Sequence, residues 1–157
     1  MAPVPGELPS GTCVGPCRVE RVIAQGRHGV TYRATLNAHG WPVALKVIRP
    51  EVAADGDYTP RFLDVWRRAG SLDHPSAIAV YDAGCDDEGR LYVAARWVDG
   101  DGLAGLEPWL LRPLLEQVGG CLDAAVAAGL VHSGLAADDI LVVRHGGEPN
   151  AVLTGAG

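Results

Sequence analysis

The sequence is nearly devoid of lysine: Lys46 is the only one among 157 residues, against twelve arginines. The arginines do not cluster with aromatic residues and the net charge is −6, which excludes a basic surface for nucleic acid or for acidic membranes. No apolar run is long enough to cross a bilayer, and the first residues lack the charged and apolar regions of a signal peptide. We therefore expect a cytoplasmic protein without nucleic acid or membrane partners.

Cysteine is also scarce, with Cys13, Cys17, Cys85 and Cys121 the only four. They are too few and too scattered for a disulfide framework. Cys13 and Cys17 form a C-x-x-x-C pair, but no second Cys/His pair follows at zinc spacing. We predict reduced thiols and no metal site.

The length suits one compact domain, or a small lobe with part of another. A hydrophobic fraction of 48% and a charged fraction of 20% exclude wholesale disorder. Residues 1–17 are rich in proline and glycine without periodicity, so they are predicted to be a flexible leader.

The next segment is typical of an antiparallel sheet followed by a helix. The runs "RVERVIAQ", "GVTYRATL" and "WPVALKVI", separated by "GRHG" and "NAHG", predict a three-stranded meander. A helix follows, with Thr59 as N-cap, Pro60 at its first position and an end before Pro75. Its inner face is predicted to hold Phe62, Val65, Trp66 and Ala69.

The second half predicts a hairpin, a long helix and another hairpin. "AIAVYDAGCDDEGRLYVAARWV" turns at "CDDEG", and "DGDG" is a linker. A helix over 108–128 contains Pro113 and a Gly119-Gly120 pair, which weaken it and favour a kink. "DILVV" and "AVLT" form the last hairpin. The helix is predicted to carry an apolar stripe of Leu111, Leu115, Val118, Leu122 and Ala125.

Five local motifs in this order resemble the bacterial Hanks-type Ser/Thr protein kinase family. They are "AQGRHGVTY", "VALKV", "LDHPSAIAVYD", "RWVDGDGL" and "AAGLVH". The resemblance covers about residues 18–157. It implies an α+β fold: a kinase-like small lobe over 18–99, with a five-stranded antiparallel sheet and an αC-type helix, then the start of a mostly helical large lobe over 100–157.

The resemblance also implies ATP or ADP, without Mg²⁺, as the ligand to test. Lys46 stands at the family's phosphate-contacting position and Ala95 at the gatekeeper position. Two simpler interpretations stay open: the glycines serve only a tight hairpin, and Lys46 is a solvated side chain. The implied nucleotide-contacting residues are Gly26, Gly29, Val30, Ala44, Lys46, Ala95, Arg96 and Trp97.

The catalytic positions of the family are largely replaced. His132 is kept, but Ser133 and Gly134 stand where the family has arginine and the aspartate that accepts the substrate proton. Ala136 replaces the loop lysine. Gly155, Ala156 and Gly157 stand where an Asp-Phe-Gly motif would hold Mg²⁺.

The glutamate that pairs with Lys46 in the family is missing too, since Val65 stands at its position. Asp64 is about 100° away around the helix. These departures predict an inactive, pseudokinase-like binding module with no catalytic or metal-binding residue. Two alternatives remain: a divergent kinase that uses Asp138 or Asp139 as metal ligand, and a non-functional remnant.

The helix over 108–128 predicts a partner. In the family, the large lobe contains further helices beyond the residues of this sequence. Without them, part of the apolar stripe is expected to have no side chains packed on it. Each exposed leucine would forgo roughly 1.5–3 kcal/mol, against a typical stability of about 5–15 kcal/mol. We therefore expect self-association or a protein partner on this helix, with Trp97 and Trp109 as further candidate contacts.

Overall fold

The computed structural model describes residues 6–103, 106–130 and 139–154. The chain divides into two compact units: Met1–Trp66 with Val80–Trp97, and Arg67–Ala79 with Val98–Gly157. The first unit therefore ends two residues before the predicted boundary at 99. Residues 67–79 belong to the second unit, although the sequence predicts them as part of the small lobe.

The first unit contains a six-stranded antiparallel sheet in the order β1-β2-β3-β4-β6-β5. The predicted meander (β2–β4) and hairpin (β5–β6) are both confirmed. The strands are β1 Cys13–Val14, β2 Cys17–Gln25, β3 Gly29–Leu36, β4 Trp41–Ile48, β5 Val80–Cys85 and β6 Leu91–Arg96.

The extra strand β1 corrects both the predicted count of five strands and the predicted leader. Val14 and Cys17 are completely buried and pair with each other across β1 and β2. Gly15 makes the reversal between them possible, because its φ of +53° is accessible to glycine at little cost. Leu8 also packs against this core, and its N–H donates to the Tyr32 hydroxyl at 2.9 Å, so residues 8–14 form part of the first unit.

The sheet curls so that β1 lies against the β5–β6 hairpin. An ideal Cβ on Gly15 would lie 2.4 Å from the Tyr92 ring, so only glycine fits there. Arg90 Nη1 donates a 3.2 Å hydrogen bond to the Cys13 carbonyl oxygen. Alternate residues of β2, β3 and β4 fill the interior, with Tyr32, Val43 and Leu45 among the most buried side chains.

Two helices follow β4: α1, Pro50–Ala53, and α2, Tyr58–Gly70. The predicted cap of α2 is wrong, because the helix already begins at Tyr58. The Thr59 hydroxyl instead donates to the Ala53 carbonyl oxygen, at 3.4 Å. The predicted inner face is confirmed in its centre, where Phe62 and Trp66 are buried.

The second unit is built on α3, Pro108–Ala127, and a hairpin of β7, Ile140–His145, and β8, Glu148–Leu153. All three elements were predicted. Gly146 and Gly147 form a two-residue turn, with φ values of 60° and 87°. Within the described residues, no helix is both long and apolar enough to cross a membrane.

The predicted apolar stripe on α3 is wrong at its first two leucines: Leu110 and Leu114 are buried instead of Leu111 and Leu115. The helix contains two adjacent leucine pairs, 110–111 and 114–115, and the same spacing fits either member of each pair. Leu115 is 54% exposed, whereas the neighbouring Leu114 packs with Ile140 and Val142 of β7. The buried residues of α3 are Leu110, Leu114, Val118, Cys121 and Ala125.

Candidate functional site

Lys46 lies on the sheet face opposite the core of the first unit. On β4 the core residues Leu45 and Val47 alternate with Lys46, because successive strand residues point to opposite faces. Thr31 of β3 and Val93 of β6 are the cross-strand neighbours of Lys46. Directly opposed residues share a face, so one sheet face, here called the Lys46 face, gathers Thr31, Arg33, Ala44, Lys46, Val93 and Ala95.

Of the predicted strand residues, the Lys46 face includes Ala44, Lys46 and Ala95 but neither Val30 nor Arg96. Val30 is opposite Val47 and belongs to the core. Thr31 takes its place beside Lys46. The sequence carried the signal that identifies Thr31, since strict alternation from the buried Tyr32 and Ala34 leaves Thr31 on the other face.

The predicted glycine turn connects β2 to β3. The Gly26 N–H donates to the Gly29 carbonyl oxygen at 2.9 Å, which closes the turn. Gly29 is buried and packs directly on β4, whereas Gly26 is exposed. The turn therefore closes the β2–β3 hairpin, and it lies at the end of the strand that carries Thr31.

Arg49, which the sequence analysis did not single out, supports this turn. Its Nε and Nη2 atoms each lie 3.2 Å from the Gly26 carbonyl oxygen and donate to it. Its backbone N–H donates to the His28 carbonyl oxygen at 2.8 Å. His28 also approaches Tyr58, with ring centroids 6.2 Å apart. A single arginine after a strand carries no sequence signal for such a contact.

The predicted hinge residues lie at the end of β6. Ala95 is buried and opposite Ala44, so two small side chains adjoin each other on the Lys46 face. Arg96 is opposite the core residue Val43 and is exposed. Trp97 follows the strand, and its ring lies 4.8 Å beneath the Arg33 guanidinium carbon.

Arg33 is held in place by Glu20 of β2. Arg33 Nε donates to Glu20 Oε2 at 3.1 Å, and the Thr35 hydroxyl donates to Glu20 Oε1 at 2.5 Å. The Thr35 hydrogen bond, with help from Arg33, lowers the pKa of Glu20 from its ordinary value. Arg33 and Trp97 thus border the two alanines with an ordered polar and aromatic edge.

The helix α2 presents no glutamate at the position that the resemblance assigns to one. Val65 there is half-buried, and Asp64 is exposed. The inward side of α2 instead carries a row of rings, Tyr58, Phe62 and Trp66, with successive centroids 5.9 Å and 6.3 Å apart. The inward side of α2 is therefore aromatic.

Most of the predicted catalytic-loop positions lie outside the described residues. These are His132, Ser133, Gly134, Ala136 and Asp138, together with Gly155, Ala156 and Gly157. Asp139 is described. Its carbonyl oxygen accepts hydrogen bonds from the Thr154 N–H at 2.7 Å and the Thr154 hydroxyl at 3.0 Å, which tie the two strands of the last hairpin together at its open end.

No group of three or more His, Cys, Asp or Glu side chains that could hold a metal ion occurs in residues 6–103, 106–130 and 139–154.

Three ionisable groups, those of Cys17, Asp82 and Tyr92, lie close together in the first unit. The Tyr92 hydroxyl donates to Asp82 Oδ2 at 2.5 Å. Burial, with Asp82 nearby, raises the pKa of the Cys17 thiol to about 11, so Cys17 is a protonated core residue.

Comparison with known proteins gives mycobacterial kinases both by sequence and by structure, although no protein-family model matches the chain. The serine/threonine-protein kinase PknE of Mycobacterium bovis is 34% identical over 143 residues, which cover 87% of this chain and 25% of PknE. PknJ of Mycobacterium tuberculosis is 32% identical over 153 residues, with coverages of 94% and 26%.

The fold matches the crystal structure of the Mycobacterium tuberculosis PknI kinase domain. The TM-score is 0.77 at 27% identity, over 94% of this chain and 62% of that domain. The chain therefore spans about a quarter of the curated relatives it matches and somewhat less than two thirds of a kinase domain of known structure.

Proposed function

Because the chain is a homologue of bacterial serine/threonine protein kinases and has the fold of part of a kinase domain, we propose that it is a kinase-like binding module of cytoplasmic signalling. In this proposal it binds ATP or ADP without Mg²⁺ and does not transfer phosphate. The observation that carries the proposal is the arrangement around Lys46.

Nucleotide binding is supported by the chemistry of the Lys46 face. It offers one ammonium group, a threonine and two small alanines, next to a glycine turn that begins directly after Gln25, where β2 ends its pairing with β3. Small side chains leave room for a planar base, and Arg33 over Trp97 forms an edge beside them. An ammonium group is a point charge suited to phosphate.

Lack of phosphoryl transfer is supported by the sequence at the family's catalytic positions. Gly134 has no side chain to accept the proton of an acceptor hydroxyl. A positioned acid–base group contributes about 10²–10⁴-fold to a reaction. At the other end of the transferred phosphate, Gly155 offers no carboxylate for Mg²⁺.

A thermal-shift titration tests nucleotide binding. We expect ATP and ADP to raise the melting temperature equally with Mg²⁺ and with EDTA, since the proposal gives the metal no ligands. Ligand at a hundredfold excess over Kd stabilises by about 2.7 kcal/mol. Lys46→Ala should abolish the shift, whereas Arg18→Ala, an equal charge change at the opposite end of β2 from the turn, should retain it.

A radiolabelled ATP assay tests inactivity. We expect no label on the protein itself or on a generic acceptor. Transfer that requires both Mg²⁺ and Asp139, and is lost in Asp139→Ala, would instead establish the divergent-kinase alternative. A melt without a cooperative transition would favour the non-functional remnant.

We further propose that a second copy of the chain covers α3. Beside its buried side, α3 exposes Leu115 (54%) and Val126 (63%), with Leu111 and Leu122 half-buried in the same row. An antiparallel pair centred between residues 118 and 119 places Leu111 opposite Val126 and Leu115 opposite Leu122. The row is therefore complementary to itself, as a two-fold interface requires.

Charge supports the same pairing. Arg112 and Asp123 lie within about 20° of each other around the helix, beside the apolar row. In an antiparallel pair, residues on the same flank of each helix meet, so Arg112 of one chain comes within a helical turn of Asp123 of the other. In the single chain Arg112 is exposed and pairs with Glu116 of the same helix at 3.3 Å, so a dimer would exchange or share this surface ion pair.

Sedimentation velocity tests the pairing. Leu115→Glu should convert dimers to monomers, because it places a carboxylate opposite Leu122 in the apolar row, where burying a charge is costly. Trp109→Ala is the control: Trp109 is 71% exposed but lies on the other side of α3. Arg112→Glu should weaken the dimer and Arg112→Glu with Asp123→Arg should restore it. A wild-type monomer at high concentration would contradict self-association.

A further inference from the structure

We infer that Arg49 is a positioning residue that sets the glycine turn, residues 26–29, in the conformation that receives the phosphates of a nucleotide. This inference rests on the proposed nucleotide binding. It assigns a role to a residue outside the Lys46 face, whose side chain acts through the turn rather than as part of the predicted contact set.

Arg49 directly follows the last residue of β4 and makes three hydrogen bonds to the turn. Two come from its guanidinium, from Nε and Nη2 to the Gly26 carbonyl oxygen, both at 3.2 Å. The third comes from its backbone N–H to the His28 carbonyl oxygen, at 2.8 Å. The Arg49 carbonyl oxygen in turn accepts from Val52 and Ala53 of α1, so the residue that supports the turn is itself fixed.

These bonds determine where the N–H groups of the turn point. A trans peptide unit directs its C=O and its N–H in opposite directions. Since the Gly26 carbonyl points to the Arg49 guanidinium, the Arg27 N–H points away from it. Since the His28 carbonyl points to the Arg49 N–H, the Gly29 N–H also points away. Two backbone donors, those of residues 27 and 29, are thus directed away from Arg49, and backbone N–H groups of a turn can form an anion-binding concavity.

The guanidinium matters because the turn begins and ends with glycine. Glycine loses more conformational freedom on ordering than any other residue, so an unsupported Gly26 peptide would rotate. Substituting Arg49 removes the two guanidinium bonds but keeps the backbone bond to His28 and the ring contact of His28 with Tyr58. The side chain therefore controls the Gly26–Arg27 peptide in particular.

Amide exchange without ligand tests the positioning directly. In Arg49→Ala we expect the Gly26 amide, which donates to the Gly29 carbonyl oxygen, to exchange about tenfold faster because the turn opens more often, a factor that corresponds to losing one or two hydrogen bonds. The amide of residue 49, which keeps its bond to the His28 carbonyl oxygen, should change less. Arg18→Ala should leave both amides unchanged, which controls for the loss of one positive charge.

Binding measurements test the consequence. Calorimetry with ADP and with adenosine should show an about tenfold weaker Kd for ADP in Arg49→Ala, and an adenosine Kd within about twofold of wild type. A general loss of structure would weaken both ligands together. Arg49→Lys keeps the charge but not the paired donors, so it should resemble Arg49→Ala more than wild type.

Three results would overturn the inference. One is unchanged amide exchange at Gly26 in Arg49→Ala. Another is equal weakening of ADP and adenosine. The third is full ADP affinity in Arg49→Lys with loss in Arg49→Ala, which would make Arg49 a direct charge contact. If wild-type protein binds neither ligand, the proposed nucleotide binding fails, and faster exchange at Gly26 in Arg49→Ala would still establish the positioning of the turn.

Discussion

Gly29 and the carbonyl oxygen of Val47 approach so closely that an ideal Cβ on Gly29 would lie 2.4 Å from that oxygen. The clash is with backbone of the adjacent strand β4, so it cannot be relieved by a side-chain rotation. We expect Gly29→Ala to destabilise the fold by about 1–3 kcal/mol, as other overpacked sites do. Urea unfolding would measure the change.

Gly26 provides the matched control. The nearest atom to its ideal Cβ is the Gly29 carbonyl oxygen at 3.6 Å, an ordinary contact, and Gly26 is exposed. Gly26→Ala should therefore change stability by no more than about 0.5 kcal/mol. Equal losses in the two variants would show that the turn does not have the described geometry.

The position of α3 predicts different effects for two neighbouring leucines. Leu114 is 1% exposed and packs on the β7–β8 hairpin, whereas Leu115 is 54% exposed. Leu114→Ala should cost about 2–5 kcal/mol of unfolding free energy, and Leu115→Ala no more than about 0.5 kcal/mol in the monomer. Chemical denaturation at low protein concentration separates them. The reverse order would support the apolar stripe predicted from the sequence.

The buried thiol of Cys17 predicts an alkaline loss of stability. Its pKa is raised from 9.0 to about 11 in the folded state, first by burial and then by Asp82. The unfolded chain therefore loses this proton before the folded chain does. The stabilising effect is complete below pH 9 and is lost as the pH rises through 11, by an amount on the order of 1–2 kcal/mol.

Melting temperatures between pH 8 and 11 would measure this loss. Cys17→Ala should flatten the profile, whereas Cys13→Ala, at an exposed cysteine, should leave it unchanged. An equally steep decline in Cys17→Ala would assign the alkaline transition to other groups.

The hydrogen bond between Tyr92 and Asp82 connects the two strands of the β5–β6 hairpin. Burial, and the hydrogen bond to Asp82, raise the pKa of the Tyr92 phenol, so the hydroxyl remains a donor. We expect Tyr92→Phe to lower the unfolding free energy by about 1 kcal/mol or somewhat more, because the acceptor is charged. Tyr81→Phe, at an exposed ring of the same hairpin, should be neutral in the same urea titration.

Strand and helix patterning predicted most of the fold because its signals are local. The meander, both hairpins and α3 follow from alternation, turn residues and helical spacing. The strand β1 could not be predicted in this way, since its two residues are held by the distant Tyr92 and Arg90 rather than by any period. The prediction for the adjacent leucines of α3 was wrong for a related reason. Helical spacing fits either leucine of each pair equally well, and only packing on β7 decides which one is buried.

The site shows the same division. Lys46, Ala44 and Ala95 are brought together by a family resemblance, and strand pairing puts them on one face. Val30 of the predicted set lies in the core instead, and alternation from Tyr32 selects Thr31 for the Lys46 face. Arg49 could not have been found, because its contact with Gly26 depends on how β4 ends beside a turn that lies 23 residues earlier.

The Leu153 N–H donates to the Ser76 carbonyl oxygen at 2.7 Å, and Ala77 forms an isolated parallel bridge with Leu153. Residues 67–79, the first segment of the second unit, are thus paired through Ser76 and Ala77 with β8, its last strand. During synthesis, residues 67–79 leave the ribosome with no partner strand, and they must wait until β8 has emerged. The second unit therefore assembles late, and the nascent chain must avoid aggregation until it does.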